Sequence, residues 1–298
     1  MTTDGIVRRQ RDGEERGNVL AGATRDARAA GAAFFARVRA GGPAIMGILN
    51  VTPDSFSDGG LFAAPGAALA QAQKLVADGA DIIDIGAEST RPGHSPISPE
   101  LEWTRLEPAL SIVLERAGAA VSVDTYKAET ARRALHAGAA VINDVWGLQG
   151  DPGMAGVVAE ARAGLVVMHN RHETDPRLDI VSDMLRFYER SLKLASRAGI
   201  SDDRILLDPG VGFGKTREQN YDALRATPRL VALGFPVLIG VSRKSIFRDL
   251  PDGQASGRLV GTIAADIFAF GRGAAAFRVH DVAEHKAAFA VLQALREQ

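Results

Sequence analysis

The chain has 298 residues, of which 46% are hydrophobic and 24% charged, with a formal net charge of −1. A balance this close to neutral excludes a general electrostatic claim on nucleic acid or an anionic membrane surface, so neither is expected as a partner. The absence of cysteine excludes disulfides, thiolate metal sites and cysteine nucleophiles together, and fits a reducing compartment, the cytoplasm.

In chain order, residues 1–18 are polar and contain glycine, the composition of a loosely attached segment. Charges spread through Thr2–Arg16 leave no apolar core for a signal peptide, and Asp4, Glu14 and Glu15 argue against a transit peptide. Residues 19–40 are alanine-rich and predict one helix before the first strand. Residues 1–42 therefore form an N-terminal extension, partly disordered or helical, and residues 43–298 one domain, since no linker divides them. No apolar run approaches the roughly 20 residues that span a bilayer.

Eight strand-like segments follow: Ala44–Asn50, Asp81–Ala87, Ala120–Thr125, Val141–Val145, Leu165–His169, Ile205–Asp208, Pro236–Ser242 and Ala274–His280. Most are continuous apolar runs, as parallel strands buried on both faces require. Between them lie stretches with helical spacing. Ser98 and Pro99 read as an N-cap and first helical residue. Leu106, Leu110, Val113 and Leu114 then carry the helix, with an irregular start predicted at Pro108. Leu259, Ile263, Ile267 and Phe270 form an apolar stripe that Gly271 ends. Asp281 and Glu284 resemble a capping box for the last helix. Strand then helix, eight times, predicts an α/β (β/α)8 TIM barrel with its active site at the C-terminal strand ends. That geometry makes Asn50, Glu88, Asp124, Asn143, Met168, Asp208, Lys244 and Arg278 candidate neighbours.

The loops at those ends are rich in chemistry. Asn50 opens a polar string, Asn-Val-Thr-Pro-Asp-Ser-Phe-Ser-Asp-Gly-Gly, able to place an amide near a metal or phosphate while Gly59 and Gly60 permit motion. An Asx/Pro turn alone would also explain its Thr-Pro-Asp-Ser part. Arg91, in Glu-Ser-Thr-Arg-Pro-Gly, suits an acidic partner or an anionic ligand, or is a surface arginine beside a turn. Asp124, Asn143 and Asp208 each end an apolar strand, where desolvation demands partners. Together their donors and acceptors suit a flat heterocycle, although each aspartate taken singly also suits a helix cap. Ser242-Arg243-Lys244-Ser245 and Arg278-Val279-His280 follow the strands whose loops form the recurrent phosphate site of this barrel. Asp281 would compete with a phosphate for the amides of the last helix, which favours the side chains as ligands. Pro209-Gly-Val-Gly-Phe-Gly-Lys-Thr216 is a false Walker A match, since proline replaces its first glycine. Its glycines suit a backbone close to a ligand, with Phe213 as a wall. His94, His136, His172 and His285 lack zinc spacing.

These loops resemble the dihydropteroate synthase family of folate biosynthesis. The resemblance runs from Ile45-Met46-Gly47-Ile48-Leu49-Asn50-Val51-Thr52-Pro53-Asp54-Ser55-Phe56-Ser57-Asp58-Gly59-Gly60 through Gly86–Gly93, Ser122–Thr125, Asn143-Asp144, Asp208–Gly210 and Ser242–Ser245 to Arg278–Asp281. It implies condensation of 6-hydroxymethyl-7,8-dihydropterin pyrophosphate with p-aminobenzoate to 7,8-dihydropteroate and pyrophosphate, with Mg2+, in a homodimer. By resemblance, Asp124, Asn143, Asp208 and Lys244 hold the pterin and Met168 packs on its ring. Asn50 matches the metal position, and Thr90, Arg278 and His280 the pyrophosphate ligands. Phe56, Pro92, Phe213 and Ser245 match the surroundings of p-aminobenzoate. Asp58 and Arg91, on closing loops, join Asp124 and Lys244 as catalytic residues. The segment Asn170–Pro176 departs from the Gly-Thr-Pro-like run of many relatives and is expected to change access on the pterin side. Two other readings share the barrel: a pterin-dependent methyltransferase, which needs neither the first loop nor the Arg278/His280 pair, and a catalytically silent pterin-binding paralogue.

Overall fold

The computed structural model describes residues 29–52, 65–89, 95–248 and 255–296. Its strands are β1 (Ala44–Asn50), β2 (Ile82–Gly86), β3 (Ala120–Asp124), β4 (Val141–Asp144), β5 (Gly164–Met168), β6 (Ile205–Asp208), β7 (Leu238–Ile239) and β8 (Ala276–Val279). All pair in parallel in the order β6-β5-β4-β3-β2-β1-β8-β7. A bridge between Leu207 and Val237 joins β6 to the approach to β7 and closes the ring. This is the (β/α)8 barrel that the strand–helix alternation implied.

Residues 29–39 form a helix, α1. The others are α2 (Pro65–Ala77), α3 (Pro99–Arg116), α4 (Ala128–Ala137), α5 (Met154–Ala161), α6 (Ile180–Ala198), α7 (Arg217–Arg225), α8 (Thr227–Val231), α9 (Ala255–Phe270) and α10 (Val282–Ala294). Local chemistry sets their starts. Ser98 accepts the Leu101 amide at 3.2 Å, Asp179 caps α6, and Thr216 with Gln219 forms a reciprocal capping box on α7.

Three helix expectations are corrected. Pro108 does not disturb α3, because it lies on the exposed side while Leu106, Ala109, Leu110 and Val113 hold the buried side to the barrel. Asp281 does not cap α10: its carboxylate pairs with Arg243 instead, with Nε at 2.9 Å. On α9 the expected stripe is only partly covered. Leu259, Ile263 and Ile267 are half-buried, and the fully buried face carries Thr262, Asp266 and Ala269 as well as Phe270.

Strand parity divides the core in two. Ile45, Leu49, Ile83, Ile85, Val121, Val123, Ile142, Leu165, Val167, Leu207, Ile239 and Phe277 face outward and pack under the helices. Ala44, Met46, Ile82, Ala120, Val141, Val166, Leu206, Leu238 and Ala276 face inward and fill the lower barrel. The same inner cluster contains Phe34, Phe35 and Val38 of α1, so α1 plugs the N-terminal mouth. Gly164 makes this possible, since a Cβ there would lie 2.3 Å from the Phe35 ring. Arg39 fastens the plug to the Asp202 carbonyl at 2.6 Å, and Arg37 to Asp81 at 3.2 Å. Burying each phenylalanine contributes about 1.5–3 kcal/mol.

Candidate active site at the C-terminal barrel mouth

The inward parity continues upward, but the residue types change. The registers Asp84↔Ser122, Asp124↔Asn143 and Met168↔Asp208 build polar layers above the apolar ones. Arg278 of β8 organises them. Its Nε donates to Asp84 Oδ2 at 2.6 Å and its Nη2 to Asp124 Oδ2 at 2.8 Å. Asn143 Nδ2 adds a second donor to Asp84 Oδ2 at 3.1 Å. Asp84 Oδ1, Ser122 Oγ, Asp124 Oδ1 and Asn143 Oδ1 are buried without a hydrogen-bond partner among the described residues. Each such atom is destabilising by about 1–3 kcal/mol unless something else supplies the hydrogen bond. The cluster therefore suits a ligand that presents N–H groups.

One guanidinium between two carboxylates leaves an excess negative charge, and the barrel keeps it from water. Burial pushes Asp124 up to about 7, with Arg278 opposing and Asp84 adding to the rise. Burial also raises Asp208, against the pull of Lys244 and the Gly210 amide, which donates to Asp208 Oδ1 at 2.7 Å. Lys244 is lowered to about 8 by burial, with Asp208 opposing. Burial acts to lower Arg278 too, but Asp84 and Asp124 outweigh it and keep it charged.

Beside the cluster lies the turn after β6. Lys244 Nζ donates to the Val211 carbonyl and stands 4.5 Å from the centroid of the Phe213 ring. Ser245 is exposed and opens a short 3-10 turn. His280 Nδ1 lies 2.9 Å from Ser242 Oγ, which also accepts the His280 amide at 3.1 Å. Because Asp281 is engaged by Arg243, it does not compete for the amides at the start of α10, contrary to expectation. Gly86 leaves room between Asn50 and Asp124: a Cβ there would lie 3.8 Å from Asn50 Oδ1 and 3.4 Å from Asp124 Cβ.

The structure thus brings Asp124, Asn143, Asp208, Lys244 and Arg278 together, with Met168 paired beside Asp208 and Asn50 facing Gly86. Phe56, Asp58, Thr90, Arg91 and Pro92 lie outside the described residues. Glu88 takes a different part from the one expected. Strand β2 ends at Gly86, and the Glu88 carboxylate accepts the Ile97 amide and the Tyr126 hydroxyl, each at 3.1 Å, and pairs with Lys127. Lys127 also reaches Glu102 at 3.0 Å, so this network fastens the head of α4 rather than joining the Asp84–Asp124 cluster.

Sequence reasoning missed two residues. Asp84 interrupts the apolar run Ile82-Ile83-Asp84-Ile85, and its shared parity with Gly86 was the available signal. Lys215 was set aside with the false Walker match, yet it is buried and reaches three backbone carbonyls. The unusual segment 170–176 packs onto the rim. Arg171 donates to Asp183 at 2.7 Å, His172 stacks on Trp146 at 4.2 Å, and Gln219 donates to the Asp175 carbonyl at 2.7 Å. His169 is lowered to about 4 by burial despite Asp183, so it is neutral.

A barrel whose C-terminal mouth offers buried carboxylates, an amide and cations belongs with enzymes that hold a flat, polar heterocycle there. A family model described as pterin binding enzyme matches residues 46–280. The dihydropteroate synthase of Clostridium beijerinckii is 43% identical over 82% of this chain and 91% of its own. A structure of Xanthomonas albilineans dihydropteroate synthase with 4-aminobenzoic acid superposes with a TM-score of 0.81 at 43% identity, covering 86% of this chain and 94% of its own. The same enzyme in complex with 7,8-dihydropteroate gives 0.77 at 41% identity over 86% and 95%. The chain belongs to the dihydropteroate synthase family, transferases that act on the pterin methylene group.

Proposed function

We propose that pyrophosphate leaves the bound pterin before p-aminobenzoate attacks, and that the buried carboxylates stabilise the cation formed in between. The observation that carries this reading is the Asp84–Arg278–Asp124 cluster, which holds two carboxylates against one guanidinium and leaves Asp124 Oδ1 without a partner among the described residues. When the C–O bond breaks, the electron pair departs with pyrophosphate and positive charge grows on the pterin methylene group. A fixed, desolvated carboxylate stabilises that charge without reorganisation. The arylamine nitrogen then forms the C–N bond and releases a proton. Departure first removes the need for a strong base or covalent nucleophile.

Asn143, Asp208 and Lys244 supply the amide, carboxylate and ammonium that read the edge of the heterocycle, with Met168 against its face. Arg278 uses two of its nitrogens on carboxylates, which leaves Nη1 for pyrophosphate beside His280, with Thr90 as a third ligand. Phe213 and Ser245, with Phe56 and Pro92, surround p-aminobenzoate, and Asp58 and Arg91 belong to loops that close over it. Among the described residues no group of three His, Asp or Glu suits a metal. The oxygen donors present at the mouth suit Mg2+ held by Asn50 together with pyrophosphate oxygens, as this ion prefers. Bound there, Mg2+ would neutralise charge on the leaving group.

Positional isotope exchange tests the order. With label in the bridging oxygen of the pterin pyrophosphate and no p-aminobenzoate, scrambling in recovered substrate is expected. Normal turnover without any scrambling, or pyrophosphate release strictly dependent on arylamine, would overturn departure before attack. Adding p-aminobenzoate should then give dihydropteroate, seen by mass, in step with pyrophosphate. That product would not form in a methyltransferase or a silent paralogue.

A cytoplasmic homodimer completes the reading. No helix among the described residues is long and apolar enough to cross a membrane. Val260 and Phe268 of α9 and Val291 of α10, with Leu295 just beyond it, are exposed on neighbouring helices, 67% and 71% for Val260 and Leu295. A second copy is the occupant proposed for that apolar face. Light scattering on Val260→Asp should report a monomer where the unsubstituted chain gives twice that mass; an unchanged mass would remove this face from the interface.

A further inference from the structure

We propose that Lys215 is a positioning residue for the arylamine, holding the turn 209–214 so that Phe213 presents a fixed wall to p-aminobenzoate. The proposal rests on the reading of Phe213 given above. Lys215 is buried, and among the described residues it forms no ion pair with a carboxylate. Its ammonium instead donates to the carbonyls of Gly210 at 2.7 Å, Phe213 at 3.1 Å and His169 at 3.4 Å. Holding a cation away from water with carbonyls alone is unfavourable, and burial lowers Lys215 to about 7 against the pull of Asp208. An apolar side chain would avoid that term, but it would leave the carbonyls of a closely packed turn without this donor.

Those carbonyls come from two places, the end of β5 and both limbs of the turn after β6. The lysine therefore joins the strand that carries Met168 to the loop that carries Phe213. The turn has little room to shift in any other way. Gly210 has φ +63°, and a Cβ there would lie 1.8 Å from the His169 carbonyl oxygen. Gly214 has φ +55°, and a Cβ would lie 2.5 Å from Arg171. Lys244 holds the Val211 carbonyl of the same turn and lies over the Phe213 ring. Phe213 is thus fixed through its own carbonyl by one lysine and across its ring by another. Lys215 feels the charge of Asp208 but donates no hydrogen bond to a side chain of the pterin cluster; its donors go to the turn that carries Phe213, so its influence is directed chiefly to the second substrate.

The test is steady-state kinetics on Lys215→Met, Phe213→Leu and the double variant, with each substrate varied in turn. Lys215→Met should raise KM for p-aminobenzoate about tenfold, a scale set by sub-ångström misplacement of a reactant, and leave KM for the pterin pyrophosphate within about twofold. In the double variant the two effects should be strongly non-additive, since both act through the same wall. Lys215→Arg retains donors and should recover part of the p-aminobenzoate affinity. Equal rises in both KM values, a change confined to kcat, or full additivity with Phe213→Leu would overturn the assignment. Should Lys215→Met fail to fold, Lys215→Arg decides alone, because a bulkier donor must move the turn and raise KM for p-aminobenzoate selectively. If the unsubstituted chain makes no dihydropteroate, the functional reading fails and this assignment falls with it, whereas normal turnover with unselective KM changes overturns this assignment alone.

Discussion

The two mouths of the barrel are built on one rule of strand parity and filled with opposite chemistry. At the N-terminal end the inward positions are Ala44, Ile82, Ala120 and Val141, closed by Phe34 and Phe35 of α1. At the C-terminal end the same parity presents Asp84, Asp124, Asn143, Asp208 and Arg278; Oδ1 of the first three and Ser122 Oγ lack hydrogen-bond partners among the described residues. The first end gains stability from burial. The second holds buried polar groups that lack partners among the described residues, a cost to stability that a bound substrate is proposed to offset. Stability and activity should therefore separate by depth along the barrel axis.

The largest effects should come from opposite ends and in opposite observables. Arg278→Ala should lower kcat by about 10²–10³, the usual scale for losing a preorganised charge partner, and also leave Asp84 and Asp124 without their cation. Phe35→Ala should destabilise the fold by about 3–5 kcal/mol in denaturant unfolding, with kcat and both KM values unchanged in the folded fraction. A large kinetic defect in Phe35→Ala, or none in Arg278→Ala, would break the comparison.

Next in size is pH. Asp124 is raised to about 7 in the fold from an ordinary value of 3.8. Between those two values the folded chain keeps a proton that the unfolded chain releases, so this group makes stability fall as pH rises from about 4 to 7. Activity should move the other way, because only the carboxylate stabilises a cation, and kcat should climb through pH 7. Asp124→Asn should abolish that limb of the profile, lower kcat at pH 8, and flatten the fall in stability. An ascending limb that survives in Asp124→Asn would assign it to another group.

How much of this was legible beforehand follows from what each signal encodes. Apolar runs ending in Asp124, Asn143 and Asp208 revealed the strands and their polar tips, because alternation and burial are local properties of a sequence. Asp84 stayed hidden because it sits inside a run, and only the register with Ser122 shows that it shares the interior with Asp124. Glu88 was misplaced for the converse reason: two residues past the strand end, the chain has turned, and Lys127 and Tyr126, distant in sequence, claim the carboxylate. Asp281 was read as a cap because capping is local, whereas its partner Arg243 lies 38 residues away. The role of α1 was invisible, since an alanine-rich helix does not announce that Phe34 and Phe35 fit a barrel mouth. Phe56, Asp58, Thr90, Arg91 and Pro92 lie outside the described residues and remain readings of resemblance.

The smallest and cleanest contrast uses one methyl group at each mouth. At Gly86 an added Cβ meets Asp124 Cβ at 3.4 Å and Asn50 Oδ1 at 3.8 Å, ordinary contacts that ask nothing of the backbone. At Gly164 it meets the Phe35 ring at 2.3 Å, so the plug must move. Gly164→Ala should accordingly lower stability by about 1–3 kcal/mol, the range for overpacking a filled core, without touching KM or kcat. Gly86→Ala should leave the unfolding midpoint nearly unchanged yet slow turnover several-fold, because the methyl occupies space between Asn50 and Asp124 where substrate and ion are proposed to lie. The same substitution would then read as a stability change at one end and a kinetic change at the other. Equal Tm losses with normal kinetics in both would mean that the space beside Gly86 is packing room, and that the substrate lies elsewhere in the mouth.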